Sequence, residues 1–177
     1  MNDKPKFNPN IHHRRSIRLK EYEYSQAGLN FITICCQNRA CLFCEITIGA
    51  DLRVCPNNEQ RMILSDAGKL IEKWYYELEN KFPDIKYHEM IVMPNHFHCI
   101  VENVGSPLHR VVQWFKTMTT NEYIRGVKNL GWIPFNGKLW QRNYYEIIIR
   151  NEQSYQTISE YIINNPAKWT LDKFYDK

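Results

Sequence analysis

What the sequence lacks narrows the field first. No apolar run follows the basic stretch HHRRSIRLK, His12 to Lys20, so neither a secretory signal nor a membrane span is built from it. A protein of the cytoplasm with no membrane partner is expected. There is no internal repeat and no low-complexity tract, which argues against solenoid and linker architectures. The charge imbalance is small, a net +4, and it permits a polyanionic partner without demanding one. A structural zinc site is one ligand short: Cys41 and Cys44 form a CxxC and Cys55 follows, but no fourth residue stands at matching spacing. The six cysteines, Cys35, Cys36, Cys41, Cys44, Cys55 and Cys99, lie mostly in apolar, strand-like runs and are expected as reduced core thiols.

What is present reads as one domain over residues 1–177, long enough to bury a core without disulfides. A basic N-terminal arm covers about residues 1–27, and a polar loop or insertion falls near 49–60. The run GLNFITICCQN, Gly28 to Asn38, is followed at once by CLFCEITI, which predicts a hairpin. A short strand is expected around Met62 to Leu64. Ser65 and Asp66 then offer an N-cap, and Ala67, Leu70, Ile71, Trp74, Tyr75 and Leu78 recur at helical spacing until Pro83. IKYHEMIVMP and HFHCIVENV read as two strands joined by a tight Met93-Pro94-Asn95 turn. Ser106 and Pro107 open a helix expected to run to about Gly126. LWQRNYYEIIIRN is expected as a strand region, and EQSYQTISEYIINNPAKW as a last helix ending near Pro166. The class is α+β, with helices on one or both faces of an antiparallel sheet.

The chemistry-bearing pattern is MPNHFHCIV. In a strand, side chains alternate, so His96 and His98 share one face while Phe97 and Cys99 fill the other. Paired imidazoles can hold a metal, yet they supply two ligands and also occur as a polar edge patch. A third ligand has a candidate source in the last helix. Tyr161 and Asn165 lie four residues apart on one helical face, which brings a hydroxyl and a carboxamide to bear together.

MPNHFH, LWQRNYYE, IIRNE and EYIINNPAKW occur in the order seen in the REP-associated tyrosine transposases. These are a branch of the single-tyrosine transposases of small insertion sequences, within the HUH endonuclease superfamily. The resemblance spans roughly His12 to Trp169. It implies a ferredoxin- or RRM-like antiparallel sheet flanked by helices. It implies His96, His98 and Asn165 as ligands of a divalent cation, Mg²⁺ or Mn²⁺, and Tyr161 as the nucleophile. The implied reaction cleaves and rejoins single-stranded DNA, recognised beside a hairpin, through a 5′-phosphotyrosyl intermediate. The family commonly carries histidine after Tyr-Tyr-Glu, where this chain has Ile147.

Trp140, Tyr144 and Tyr145 are candidate base-stacking surfaces, and Arg14, Arg15, Arg18, Lys20 and Arg142 candidate phosphate contacts. The same aromatics would serve equally as core, because strand residues half face inward. Tyr155 is read as packing, and His12, His13, His88 and His109 as structural or surface residues. Two other functions compete: a hairpin-binding protein or repressor that keeps the fold without cleavage, and a water-using metallophosphoesterase. A homodimer, with a tyrosine acting in its own or its partner's site, is left open.

Overall fold

The computed structural model describes residues 27–48 and 60–175. The arm bearing Arg14, Arg15, Arg18, Lys20, His12 and His13, and the loop bearing Cys55, lie outside the described residues. Six strands and three α-helices follow in the order β1 (Gly28–Cys35), β2 (Cys44–Ile48), β3 (Gln60–Leu64), α1 (Asp66–Lys81), β4 (Ile85–Met93), β5 (His96–Asn103), α2 (Leu108–Leu130), β6 (Tyr145–Ile149) and α3 (Glu152–Asn164).

The main sheet has the order β4-β5-β1-β6, antiparallel throughout. Setting β2 and β3 aside, the chain runs β-α-β-β-α-β with the first strand in the middle, the ferredoxin-like arrangement expected. Strand alternation sorts the two cores. Ile32 and Ile34 of β1 and Phe97, Cys99 and Val101 of β5 face α1 and α2, while Phe31 and Ile100 face α3 with Ile149 and Ile162. Helices therefore cover both faces of the sheet. Four of the five described cysteines, Cys35, Cys36, Cys44 and Cys99, are buried, and Cys41 is exposed.

The expected hairpin of β1 with the following strand does not form. β1 is bounded on one side by β5 and on the other by β6, so it has no free edge, and β2 pairs with β3 in a separate two-stranded ribbon. The chain leaves the sheet through a 3₁₀ turn, Gln37–Arg39, in which Asn38 and Arg39 both take positive φ. Cys36 N–H then donates to Asn95 O, and Leu42 and Phe43 N–H donate to Pro94 O, anchoring this exit to the β4–β5 turn. Long-range pairing of a central strand has overridden a local turn signal.

α1 starts where its cap indicates, with Ser65 Oγ accepting from Gly68 N–H at 3.1 Å. Gly68 is required there, because a Cβ would collide with the Phe43 carbonyl. α2 runs one turn beyond the expected stop. Gly126 lies inside the helix, where the Trp132 ring packs against it, and the helix ends at Gly131 in the left-handed conformation. Of the segment from Leu139 to Asn151, only Tyr145–Ile149 is strand; Leu139 and Trp140 are core residues, and Trp140 makes an isolated bridge to Cys36. α3 is capped by Asn151 and gives way to a 3₁₀ turn, Pro166–Leu171.

Candidate active site

β5 opens with the histidine pair, and its neighbours in register fix the surroundings. His98 lies opposite Thr33 of β1, His96 opposite Cys35, and Thr33 in turn opposite Tyr145 of β6. Both imidazoles are buried, with Nε2 atoms 3.0 Å apart.

The hydrogen bonds settle what His96 can offer. Asn95 Nδ2 donates to Phe174 O at 2.8 Å, which leaves Asn95 Oδ1 to accept from His96 Nδ1 at 2.8 Å. Nδ1 therefore carries the proton and Nε2 is a bare lone pair. His98 Nδ1 meets Thr33 Oγ1 at 2.8 Å, and a hydroxyl can give or take a hydrogen there. The contact between the two Nε2 atoms needs either a proton or a cation between them. Burial, followed by the charges of Lys173 and Arg39, lowers the His96 pKa to about 3; burial and His96 hold His98 well below its ordinary value. Both rings are neutral at physiological pH, the state in which imidazole ligates metal.

α3 supplies the other two expected residues. Tyr161 is 39% exposed, its hydroxyl 3.3 Å from His98 Nε2 and its ring edge-on to Phe31. Asn165 closes the helix, buried, with Nδ2 donating to Asp172 Oδ2 at 3.2 Å and Oδ1 lacking any partner. A buried oxygen with no hydrogen-bond partner and two neutral imidazoles are donor atoms of the kind that ligate a cation. Within one chain, the Tyr161 hydroxyl and the Asn165 amide therefore lie on the side of the sheet that carries His96 and His98.

Asp172 was not anticipated. It follows the 3₁₀ turn, and its Oδ2 also accepts from the Tyr161 hydroxyl at 3.2 Å. Ligating atoms of His96, His98 and Asp172 all lie within 4.8 Å of one another, the one such cluster among the described residues. Burial and the Asp172 charge push the Tyr161 hydroxyl up to about 12. The same tail brings Phe174 against His96, ring centroids 4.7 Å apart, and Lys173 over the Phe174 ring. Arg39 reaches the tail from the β1 exit, donating to Lys173 O at 3.2 Å. Two cations thus flank the site, neither of them singled out from sequence.

The expected nucleic-acid contacts divide. Tyr145 is 53% exposed on the histidine face, 6.0 Å from Phe174. Ile147 projects from the same strand, opposite Phe31, and is 55% exposed. Trp140 belongs to the core instead: it is 5% exposed, packs on Phe43 and donates its indole N–H to Thr119 Oγ1 at 2.9 Å, so it has no free face for a base. Arg142 and Tyr144 line a groove of about 950 Å³ between α2 and the 135–144 segment, with His109, Lys116 and Lys138. Lys116 holds that segment, donating to the carbonyls of Gln141, Arg142 and Asn143 at 3.0, 3.4 and 3.1 Å. Tyr155, on α3, packs against the Phe31, Ile100, Ile149 and Ile162 cluster and donates to Glu89, as a structural residue would.

Fold and site together define a class: a ferredoxin-like domain with a histidine pair on its central sheet and a tyrosine on the last helix. The pattern of the IS200-like transposases matches residues 47–165, and the chain belongs to that family. A protein of Haemophilus influenzae, itself uncharacterized, is 39% identical over 96% of this chain and 97% of its own length. Among solved structures, a REP-associated tyrosine transposase bound to a REP hairpin shares the fold, with a TM-score of 0.58 and 18% identity over 89% of this chain and 77% of that one. No helix among the described residues is long and apolar enough to cross a membrane.

Proposed function

We propose that this protein is a metal-dependent transposase of the cytoplasm that cleaves and rejoins single-stranded DNA beside a hairpin of the REP type. The observation that carries the reading is the Tyr161 hydroxyl, 3.3 Å from a neutral His98 whose Nε2 lies 3.0 Å from that of His96.

His96, His98 and Asn165 would hold the cation, which when bound polarises the scissile phosphate and stabilises the leaving oxygen. Imidazoles ordinarily favour zinc, copper or nickel. The family resemblance implies Mg²⁺ or Mn²⁺ instead, and the Asn165 carboxamide oxygen is a hard donor of the kind those ions take.

Tyr161 Oη attacks phosphorus, its proton passes to solvent or a neighbouring base, and the 3′ oxygen departs as a hydroxyl. The product is a 5′-phosphotyrosyl bond. One ester replaces another, so a second 3′-OH restores the phosphodiester and frees Tyr161 without ATP. Arg39 and Lys173 supply positive charge beside the phosphate, and Tyr145 a face for an adjacent base. Arg142 and Tyr144 in their groove, and the arm residues Arg14, Arg15, Arg18 and Lys20, are assigned to the flanking nucleic acid.

The decisive experiment incubates the protein and Mn²⁺ with end-labelled single-stranded hairpins and resolves the products on a denaturing gel. A covalent adduct that vanishes in Tyr161→Phe is expected; an adduct that persists in that variant refutes the nucleophile. Cleavage with no adduct would instead support the hydrolase. A second reading, binding without cleavage, draws on Ile147, which presents an aliphatic chain on the histidine face at the family's histidine position. It predicts a retained hairpin shift and no adduct.

A further inference from the structure

Asp172 lies outside the segment that matches the family, seven residues past the last matched position at Asn165. Nothing transferred from the family reaches it. We propose that Asp172 is itself a ligand of the cation and at the same time the residue that ties the Tyr161 hydroxyl to the ion's position. This rests on the metal reading above and adds a carboxylate to it.

The geometry is specific. Asp172 Oδ2 accepts from Tyr161 Oη and Asn165 Nδ2, both at 3.2 Å, and Oδ1 accepts from Phe174 N–H at 2.6 Å. A carboxylate has about four lone-pair directions, so these three bonds leave one. One of its oxygens lies within 4.8 Å of the imidazole ligating atoms of His96 and His98, and the unpartnered Asn165 Oδ1 belongs to the amide that Asp172 already holds. Two neutral imidazoles and an amide carry no charge to offset a dication. One carboxylate offsets part of that charge, and it suits hard, oxygen-preferring ions such as Mg²⁺ and Mn²⁺. Its bond to the phenol then fixes the nucleophile at the rim of the same coordination sphere.

The test uses the full-length protein and Mn²⁺ alone. Calorimetry compares wild type, Asp172→Asn and His98→Gln, with urea midpoints to verify that each is folded. Asp172→Asn is expected to weaken Mn²⁺ binding at least about tenfold. Pulsed EPR of Mn²⁺-loaded wild type, with ¹³C in the aspartate carboxyls, is independent of any variant and should give a resolved ¹³C coupling. An affinity within twofold of wild type in Asp172→Asn, or no coupling, overturns the assignment. The two failures are separable. If wild type binds no Mn²⁺, the metal reading itself falls; if His98→Gln abolishes binding while Asp172→Asn leaves it unchanged, only the aspartate is wrong.

Discussion

Burying two neutral imidazoles side by side makes the fold acid-sensitive, and the size of the effect follows from the site. In the unfolded chain both histidines titrate near 6.5, whereas in the folded protein His96 falls to about 3 and His98 well below its ordinary value. Folded values below unfolded ones mean that the unfolded chain binds more protons between about pH 6.5 and 3. Stability is therefore undiminished above 6.5 and declines as pH falls through that window. The limiting slope is about 1.4 kcal/mol per pH unit for each histidine. Between pH 7 and 5 this integrates to about 2 kcal/mol for His96, a sizeable share of a typical 5–15 kcal/mol, and His98 acts in the same direction. Glu72 acts in the opposite direction, since burial raises its carboxyl and favours the folded state as pH falls. Urea denaturation at pH 7, 6 and 5 in EDTA, comparing wild type with His96→Gln/His98→Gln, isolates the pair. The difference in unfolding free energy between the two proteins should shift by at least about 2 kcal/mol over this range, in the sense that wild type weakens faster. A difference that stays constant with pH would refute the claim that both rings are buried and neutral.

Trp140 and Tyr145, five residues apart, should separate cleanly: Trp140→Ala loses about 3–5 kcal/mol of stability by chemical denaturation. Tyr145→Ala stays within about 0.5 kcal/mol in the same assay and weakens single-stranded DNA binding by about 1–3 kcal/mol in a filter or anisotropy titration. Gly68→Ala forces a Cβ against the Phe43 carbonyl and should cost about 1–3 kcal/mol, read as a lowered urea midpoint. Lys116→Met leaves three carbonyls of the 141–143 segment without their donor and should cost about 1–3 kcal/mol, with faster hydrogen exchange in that segment. Amides of α3 should exchange faster than those of α1 and α2, because its fully buried residues are only Ser159 and Ile162.

The parts of the site that lie on regular elements were legible because their periods are fixed. A period of two put His96 and His98 on one face, and a spacing of four put Tyr161 and Asn165 on another, so two local rules nearly assembled the centre. Asp172, Lys173 and Phe174 escaped because they follow a 3₁₀ turn, where no period relates one residue's direction to the next. The available signal was an acid in the DKFYDK tail soon after EYIINNPAKW. The β1 hairpin was misread for a related reason: turn residues report the ends of strands, while the choice of partner belongs to whole edges. Trp140 could not be sorted from Tyr144 and Tyr145, since three aromatics in an irregular run carry no alternation that separates core from surface.

The division of the site between elements has a mechanical logic. His96 and His98 stand at the start of a strand paired on both sides, β4 on one and β1 on the other, and their outer nitrogens are held by Asn95 and Thr33. The proposed ligands, whose geometry must hold to a fraction of an ångström, thus stand on a backbone constrained from both sides. Tyr161 hangs instead from α3, whose inner face adds one fully buried apolar residue, Ile162, and the partly buried Tyr155 and Ile158 to the small Phe31–Ile100–Ile149 cluster. In the proposed reaction the ion's ligands stay still while the tyrosine carries a covalently attached strand to a second 3′-OH. A nucleophile on a lightly anchored helix, returned to the ion by the Asp172 carboxylate, meets both demands within one chain.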